Sequence, residues 1–261
     1  MKMNKKLIIF LLWCLPTVTM AAGGGIQLSK ADINLENKNS LRAGAKLFVN
    51  YCLSCHSASY MRYNRIAKDL ELTDDQVEDN LMFIGDFRKS DSGELKKIGE
   101  LMTIAMKSED AKKYFGTAIP DLSVYVRAKN GLFAPSRGAD WLYTYLTTFY
   151  IDESRPFGVN NLLSSNVAMP HVLWELEGLK KKVVTKDEEG HETVKFEYVT
   201  EGKLNEVEYK RAMNDLVNFM VYMGEPIKLE RQRIGIIVIF FLVLFFFLAY
   251  MLKKEYWKDI H

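Results

Sequence analysis

The sequence predicts a mainly α-helical exported domain, with room for one small β-hairpin, tied to a membrane by a single C-terminal helix. Three observations predict it: a short basic-then-apolar leader, a long charge-free run near the C-terminus, and apolar residues at helical spacing through most of the chain between them.

The leader opens the chain. Lys2, Lys5 and Lys6 precede nine apolar residues, 7–15, and small residues follow from Ala21 to Gly25. Nine residues are too few to cross a hydrocarbon core, which takes about 20 in a helix. Residues 1–22 therefore read as a signal peptide cleaved near Ala21, and residues 23–227 as the exported domain. At the other end, 234–252 is nineteen residues without a charge. Such a helix spans roughly 28 Å, the thickness of a bilayer core. Arg231 and Arg233 flank it on one side and Lys253 and Lys254 on the other, so charge alone does not orient it. The leader does: 228–252 is a basic collar and anchor helix, and 253–261 is a short tail left inside.

The formal net charge is +2. Set aside the leader lysines and the basic collar, and the exported domain is mildly acidic. That balance argues against a nucleic-acid partner and suits a basic protein partner.

Within the domain, Ser40 is the expected N-cap of a helix running to Tyr51, with Leu41, Ala45, Phe48 and Val49 along one side. Thr73-Asp74-Asp75-Gln76 has capping-box form and starts a second helix. Ser108–Phe115 is a third, closed by Gly116, and Asp121–Lys129 a fourth, ended by Asn130-Gly131. Asp140–Tyr150 is an aromatic-rich fifth. Residues 183–199 alternate about the turn Asp187-Glu188-Glu189-Gly190 and predict a hairpin. Leu204–Met223 is a long helix broken by Gly224 and Pro226 just before the membrane. Asp69, Glu71, Asp74, Asp75, Glu78 and Asp79 concentrate negative charge, either as acids meeting a helix dipole or as a patch that steers a basic partner.

The chemistry lies in the cysteines. Cys14 belongs to the leader, so the mature chain keeps only Cys52 and Cys55, in Cys52-Leu53-Ser54-Cys55-His56. This is the spacing of c-type haem attachment. Two thiols three positions apart reach the two vinyl groups of one porphyrin, and the next residue, His56, is aimed at the iron. A structural zinc site wants four protein ligands, and no second cysteine pair supplies them. A redox-active thiol pair wants a βαβ setting, which the neighbouring sequence lacks.

A sixth ligand decides between electron transfer and open-site chemistry. Met169 is the favoured candidate. It sits in Asn166-Val167-Ala168-Met169-Pro170-His171, after a loop rich in Asn, Ser and Gly. Pro170 pushes Met169 into an extended conformation, off any helix. His171 is its rival; His191 lies in a charged stretch and His261 in the inner tail. His56 and Met169 stand 113 residues apart, more than a minimal single-haem fold needs, so the domain carries insertions.

The residues resemble the cytochrome c1 family, the haem subunit of the cytochrome bc1 complex, in its bacterial form. The resemblance rests on Tyr51-Cys52-Leu53-Ser54-Cys55-His56-Ser57 with Met61-Arg62-Tyr63-Asn64, on Met102-Thr103-Ile104-Ala105-Met106, and on Pro120-Asp121-Leu122-Ser123 with Arg127-Ala128-Lys129. It also rests on 169–176 and the C-terminal span. It implies a cytochrome c-like fold and one covalent haem c on Cys52 and Cys55, with His56 and Met169 as axial ligands and Pro120 beside the cofactor. Arg127 or Lys129 is the implied propionate contact; Lys129 stands where many members carry a second arginine, and Ile119 where many carry a second proline. The implied location is a bacterial inner membrane, with the haem domain in the periplasm and the C-terminus in the cytoplasm. The implied partners are cytochrome b, a Rieske iron–sulfur protein that supplies electrons, and a cytochrome c that accepts them. Such a subunit makes and breaks no substrate bonds alone. Three rivals remain: an anchored cytochrome of another reductase or oxidase, a haem enzyme or gas sensor, and a purely structural membrane subunit.

Overall fold

The structure, a computed structural model, describes residues 26–83, 98–131, 134, 136–186 and 192–258. In chain order its elements are α1 (Lys38–Tyr51), β1 (Ala58–Arg62), α2 (Tyr63–Leu70), α3 (Asp74–Leu81), β2 (Leu101–Met102), α4 (Ser108–Phe115), α5 (Tyr125–Ala128), α6 (Arg137–Leu146), β3 (Phe149–Ile151), β4 (Val159–Asn161), α7 (Trp174–Glu177), β5 (Gly178–Lys186), β6 (Glu192–Glu201), α8 (Glu206–Gly224) and α9 (Lys228–Tyr256). The predicted mainly helical domain with one small hairpin and a C-terminal anchor helix is what the structure shows. The predicted leader lies outside the described residues.

α1 and α8, from opposite ends of the domain, pack together as the centre of the core. α1 turns Leu41, Ala45, Phe48 and Val49 inward, and α8 answers with Tyr209, Met213, Leu216 and Phe219. The Phe48 and Phe219 rings lie 5.7 Å apart. Gly44 permits the close crossing: a Cβ there would stand 2.0 Å from the Asp215 carbonyl oxygen. The N-cap of α1 is Asn37 rather than the expected Ser40, and its side chain accepts from the Ser40 amide at 3.1 Å. The Ser40 hydroxyl is drawn to α8 instead, donating to Asp215 at 2.6 Å.

Several local signals hold. Thr73 and Gln76 form the predicted capping box of α3. α4 runs over the predicted residues and ends at Gly116, whose φ of 72° lies in the left-handed region. α8 starts two residues later than expected, at Glu206, behind a capping box of Asn205 and Glu208, and ends at Gly224. The helix expected over Asp121–Lys129 shrinks to α5, because the Asp121 carboxylate accepts from the Ser123 amide at 2.8 Å and holds a turn there. The aromatic helix shifts to α6 and gives way to β3 before Tyr150.

The strands form three two-stranded antiparallel sheets among the described residues, β1–β2, β3–β4 and β5–β6. The β5–β6 hairpin is longer than predicted, and its turn lies outside the described residues. Gly178 opens it with φ 86°; a Cβ there would meet the Thr200 carbonyl oxygen at 2.2 Å, so no other residue fits. α9 is apolar on every face over the predicted span and buries none of its residues against the domain. Its 29 residues suffice to cross a membrane once.

Candidate functional site

α1 delivers the cysteine motif. Its last turn continues through Cys52, whose amide donates to the Phe48 carbonyl at 2.9 Å. The Cys52 carbonyl then accepts from both Cys55 (3.1 Å) and His56 (2.9 Å), so the five residues fold into one tight turn. Both cysteines are free thiols, Cys52 buried and Cys55 half-buried. Burial, with Cys55 adding to it, pushes the Cys52 thiol up to about 12.

His56 is fixed by the predicted proline. Its Nδ1 lies 2.8 Å from the Pro120 carbonyl oxygen. A carbonyl can only accept, so Nδ1 carries the proton and Nε2 keeps its lone pair. Burial holds the imidazole below its usual pKa, against the opposing pull of the Pro120 carbonyl and Asp121, and so keeps it neutral at pH 7. A neutral imidazole with one nitrogen anchored to a carbonyl is the form that binds metal.

The Pro120 segment is itself zipped to the residues after the motif. The Leu122 amide donates to the Ser57 carbonyl at 2.9 Å, Ser59 to the Asp121 carboxylate at 2.9 Å, and Tyr60 to the Ser123 hydroxyl at 3.0 Å. The Ser57 hydroxyl accepts from Ile104 at 3.1 Å. Burial tends to raise the Asp121 carboxyl, but hydrogen bonds from Ser123 and Ser59 hold it below the usual carboxylate range. Asp121, a helix start by sequence, belongs to this site instead.

Met169 stands in a second group. It packs against Phe149, Val159 and Val167, and the Tyr145 hydroxyl donates to its Sδ at 3.5 Å. Burial raises the Tyr145 phenol, which stays a donor. The loop before it is knitted by asparagines: Asn160 Oδ1 accepts from the Asn161 and Asn166 amides, and Asn161 Nδ2 donates to the Tyr145 carbonyl at 2.8 Å. Asn166 takes a left-handed φ of 62°, which asparagine tolerates. Tyr145 stacks on Trp141 at 5.2 Å, and the Lys129 ammonium sits 4.5 Å from the Trp141 ring centroid.

The two groups are joined. Tyr125 on α5 donates its amide to the Leu122 carbonyl at 3.3 Å and sets its ring 6.1 Å from Trp141. A continuous path thus runs from Pro120 through α5 and α6 to Met169. Arg127 does not share it: it lines a hollow with Gly224, Glu225 and Lys228 where α8 meets α9. His171, the rival ligand, is buried, stacks on Phe149 at 4.9 Å, and sets its Nε2 3.0 Å from a Glu177 carboxylate oxygen.

The donor set fits a covalently held haem: two unpaired thiols at the end of one helix, a neutral imidazole with Nε2 free, and a thioether held by a phenol. Among the described residues no three His, Cys, Asp or Glu side chains gather into another metal-binding group.

Two of the six acids in the acidic segment are spoken for. Asp69 accepts from Arg65 at 2.5 Å and from the Tyr222 hydroxyl at 2.8 Å, while Glu71 pairs with Lys38. Asp74, Asp75, Glu78 and Asp79 stay exposed on α3.

Residues 33–260 match the sequence model of the Cytochrome C1 family. The chain is 46% identical to cytochrome c1 of Allochromatium vinosum, over 99% of this chain and 100% of that protein. It is 43% identical to a Nitrosomonas europaea protein called ammonia monooxygenase gamma subunit, over 100% of both. It is 24% identical to the mitochondrial cytochrome c1 heme protein of Neurospora crassa, over 84% of this chain and 61% of that one.

Proposed function

The chain belongs to the cytochrome c1 family, and from that premise we propose that it is the haem-bearing electron-transfer subunit of a bacterial cytochrome bc1 complex. In that role the chain would hold a haem for single-electron transfer between a Rieske iron–sulfur protein and a cytochrome c, beside cytochrome b in the inner membrane. The signal peptide is removed, the domain faces the periplasm, and the tail after α9 is cytoplasmic.

Cys52 and Cys55 hold one haem c through thioethers, and His56 and Met169 bind its iron. When bound, the haem supplies one-electron redox chemistry. The residues do the rest. Pro120 fixes the His56 tautomer and ring plane through the 2.8 Å contact, which raises the basicity of the free nitrogen. Tyr145 holds the Met169 thioether and draws electron density from its sulfur. Of the two basic residues open to a propionate, Lys129 sits over the Trp141 ring, which favours it over Arg127, which lines the hollow at the junction with the anchor. The free carboxylates of α3 attract a basic acceptor. α9 keeps the domain at the membrane surface, where the quinol-oxidising partners work.

The observation that carries this reading is His56 with Nδ1 tied to Pro120 and Nε2 open, one residue beyond two free thiols. The test is to purify the chain in detergent with its complex, and ask whether quinol reduces its haem and whether inhibitors of the bc1 complex stop that reduction. Reduction that is absent, or indifferent to those inhibitors, assigns the chain to a different reductase or oxidase.

A further inference from the structure

Three charged or titratable side chains are buried together where the proposed mechanism uses none of them. His171, Glu177 and Lys180 have side chains 5%, 2% and 5% exposed. Charges are withdrawn from water only at a cost, which their mutual contacts must offset. Lys180 Nζ binds the Glu177 carboxylate, donates to the Thr147 carbonyl at 2.6 Å, and lies 4.8 Å from the Phe196 ring centroid. The other Glu177 oxygen faces His171 Nε2 at 3.0 Å, an ion-pair approach without hydrogen-bond alignment.

What this cluster joins is specific. His171 lies two residues past Met169, across the rigid Pro170. Glu177 ends α7, the single turn that follows, so its carboxylate closes the segment from 171 to 177 back on itself. Thr147 lies just past α6, the helix that carries Tyr145, and Phe149 on the adjoining strand stacks on His171. The same Phe149 ring meets Tyr145 edge-on at 5.1 Å. The backbone that carries the Met169 sulfur and the phenol that holds it are therefore both referenced to one buried carboxylate.

We propose that His171, Glu177 and Lys180 form a buried clamp that positions the Met169 thioether, with Glu177 as its positioning residue. The inference rests on Met169 being the iron's ligand. Removing the Glu177 charge frees the 169–177 segment to shift, so the thioether leaves the iron more easily while the domain stays folded. Lys180 then shares in the effect through Thr147 rather than through any contact with the cofactor.

The test uses the full haem-bearing chain in detergent, comparing wild type, Met169→Leu, Glu177→Gln and, as a control, Glu197→Gln, whose exposed pair with Lys181 lies on the same hairpin. Two readouts are taken: the ferric thioether-to-iron absorption band, and the affinity of the ferric protein for imidazole. In Glu177→Gln the band weakens and imidazole binds about tenfold more tightly, while Glu197→Gln matches wild type. Where Glu177→Gln does not accumulate, Glu177→Gln/Lys180→Met withdraws both charges together and gives the same readouts. If Met169→Leu leaves band and affinity unaltered, the ligand assignment fails. If Met169→Leu abolishes the band but the Glu177 variants keep it and bind imidazole within about twofold of wild type, the clamp is overturned.

Discussion

Replacing Tyr145 with phenylalanine isolates a single atom. The hydroxyl donates to the Met169 Sδ at 3.5 Å, and the ring contributes separately through its stack on Trp141 and its edge contact with Phe149. Phenylalanine keeps both ring contacts, so the fold loses little. A net intramolecular hydrogen bond is worth about 0.5–1.5 kcal/mol, and one to a soft sulfur at this distance belongs near the lower end. That bond draws density from the sulfur and makes it a poorer donor to ferric iron, which favours the reduced form. A tenfold change in a one-electron equilibrium is about 59 mV and about 1.4 kcal/mol. Losing about 0.5–1 kcal/mol of preference for the reduced form therefore lowers the midpoint potential by about 20–40 mV. Potentiometric titration of the haem absorbance measures it directly. A potential that stays fixed or rises refutes both the hydrogen bond and its sulfur partner as the iron's ligand.

Asp121→Asn turns an acceptor toward amide donors from Ser59 and Ser123 into a group that also donates, and should cost about 1–2 kcal/mol at pH 7, allowing for its exposure to solvent. The native carboxyl's folded pKa lies below its ordinary 3.8, so its stabilisation is full above that value and is lost as pH falls through the folded one; denaturant titrations of variant and wild type should converge there. Neutralising Asp74, Asp75, Glu78 and Asp79 together should slow electron exit to a basic cytochrome c roughly tenfold at low salt and flatten its salt dependence, read by stopped flow; an unaltered salt profile leaves those acids to the helix dipole alone. Gly44→Ala drives a Cβ to 2.0 Å from the Asp215 carbonyl oxygen and should cost about 3 kcal/mol, a fall in Tm of roughly 6–12 °C by calorimetry.

Much of this molecule is legible along the chain because its signals are local. The Thr73–Gln76 box, Gly116 after α4 and the charge-free span each carry their own physics within a few residues. The attachment motif is legible for the same reason. Three kinds of feature are not. Ser40 and Asn37 are equally good caps by type, and what separates them is Asp215, 175 residues away, which claims the Ser40 hydroxyl. Asp121 reads as a helix start, yet its carboxylate finds Ser123 and Ser59 first and builds a turn. β2, β3 and β4 are two or three residues long, too short for any alternation to register.

The site divides along the same line. Of the proposed haem-binding residues, Cys52, Cys55 and His56 are read from spacing, and Met169 from its proline. The groups that fix them are distant in sequence: Pro120 stands 64 residues from His56, and Tyr145 stands 24 from Met169. No pattern in the chain announces that Lys180 would be buried against Glu177, since its neighbours Lys181 and Lys182 are exposed and the three look alike in sequence.

The most direct measurement is the mass of the purified mature chain under denaturing conditions, read together with haem-linked peroxidase activity in a gel. The expected mass exceeds that of the mature polypeptide by one haem, retained through denaturation and lost when Cys52 and Cys55 are both replaced by alanine. A mature chain at its bare polypeptide mass, without peroxidase stain, contradicts it.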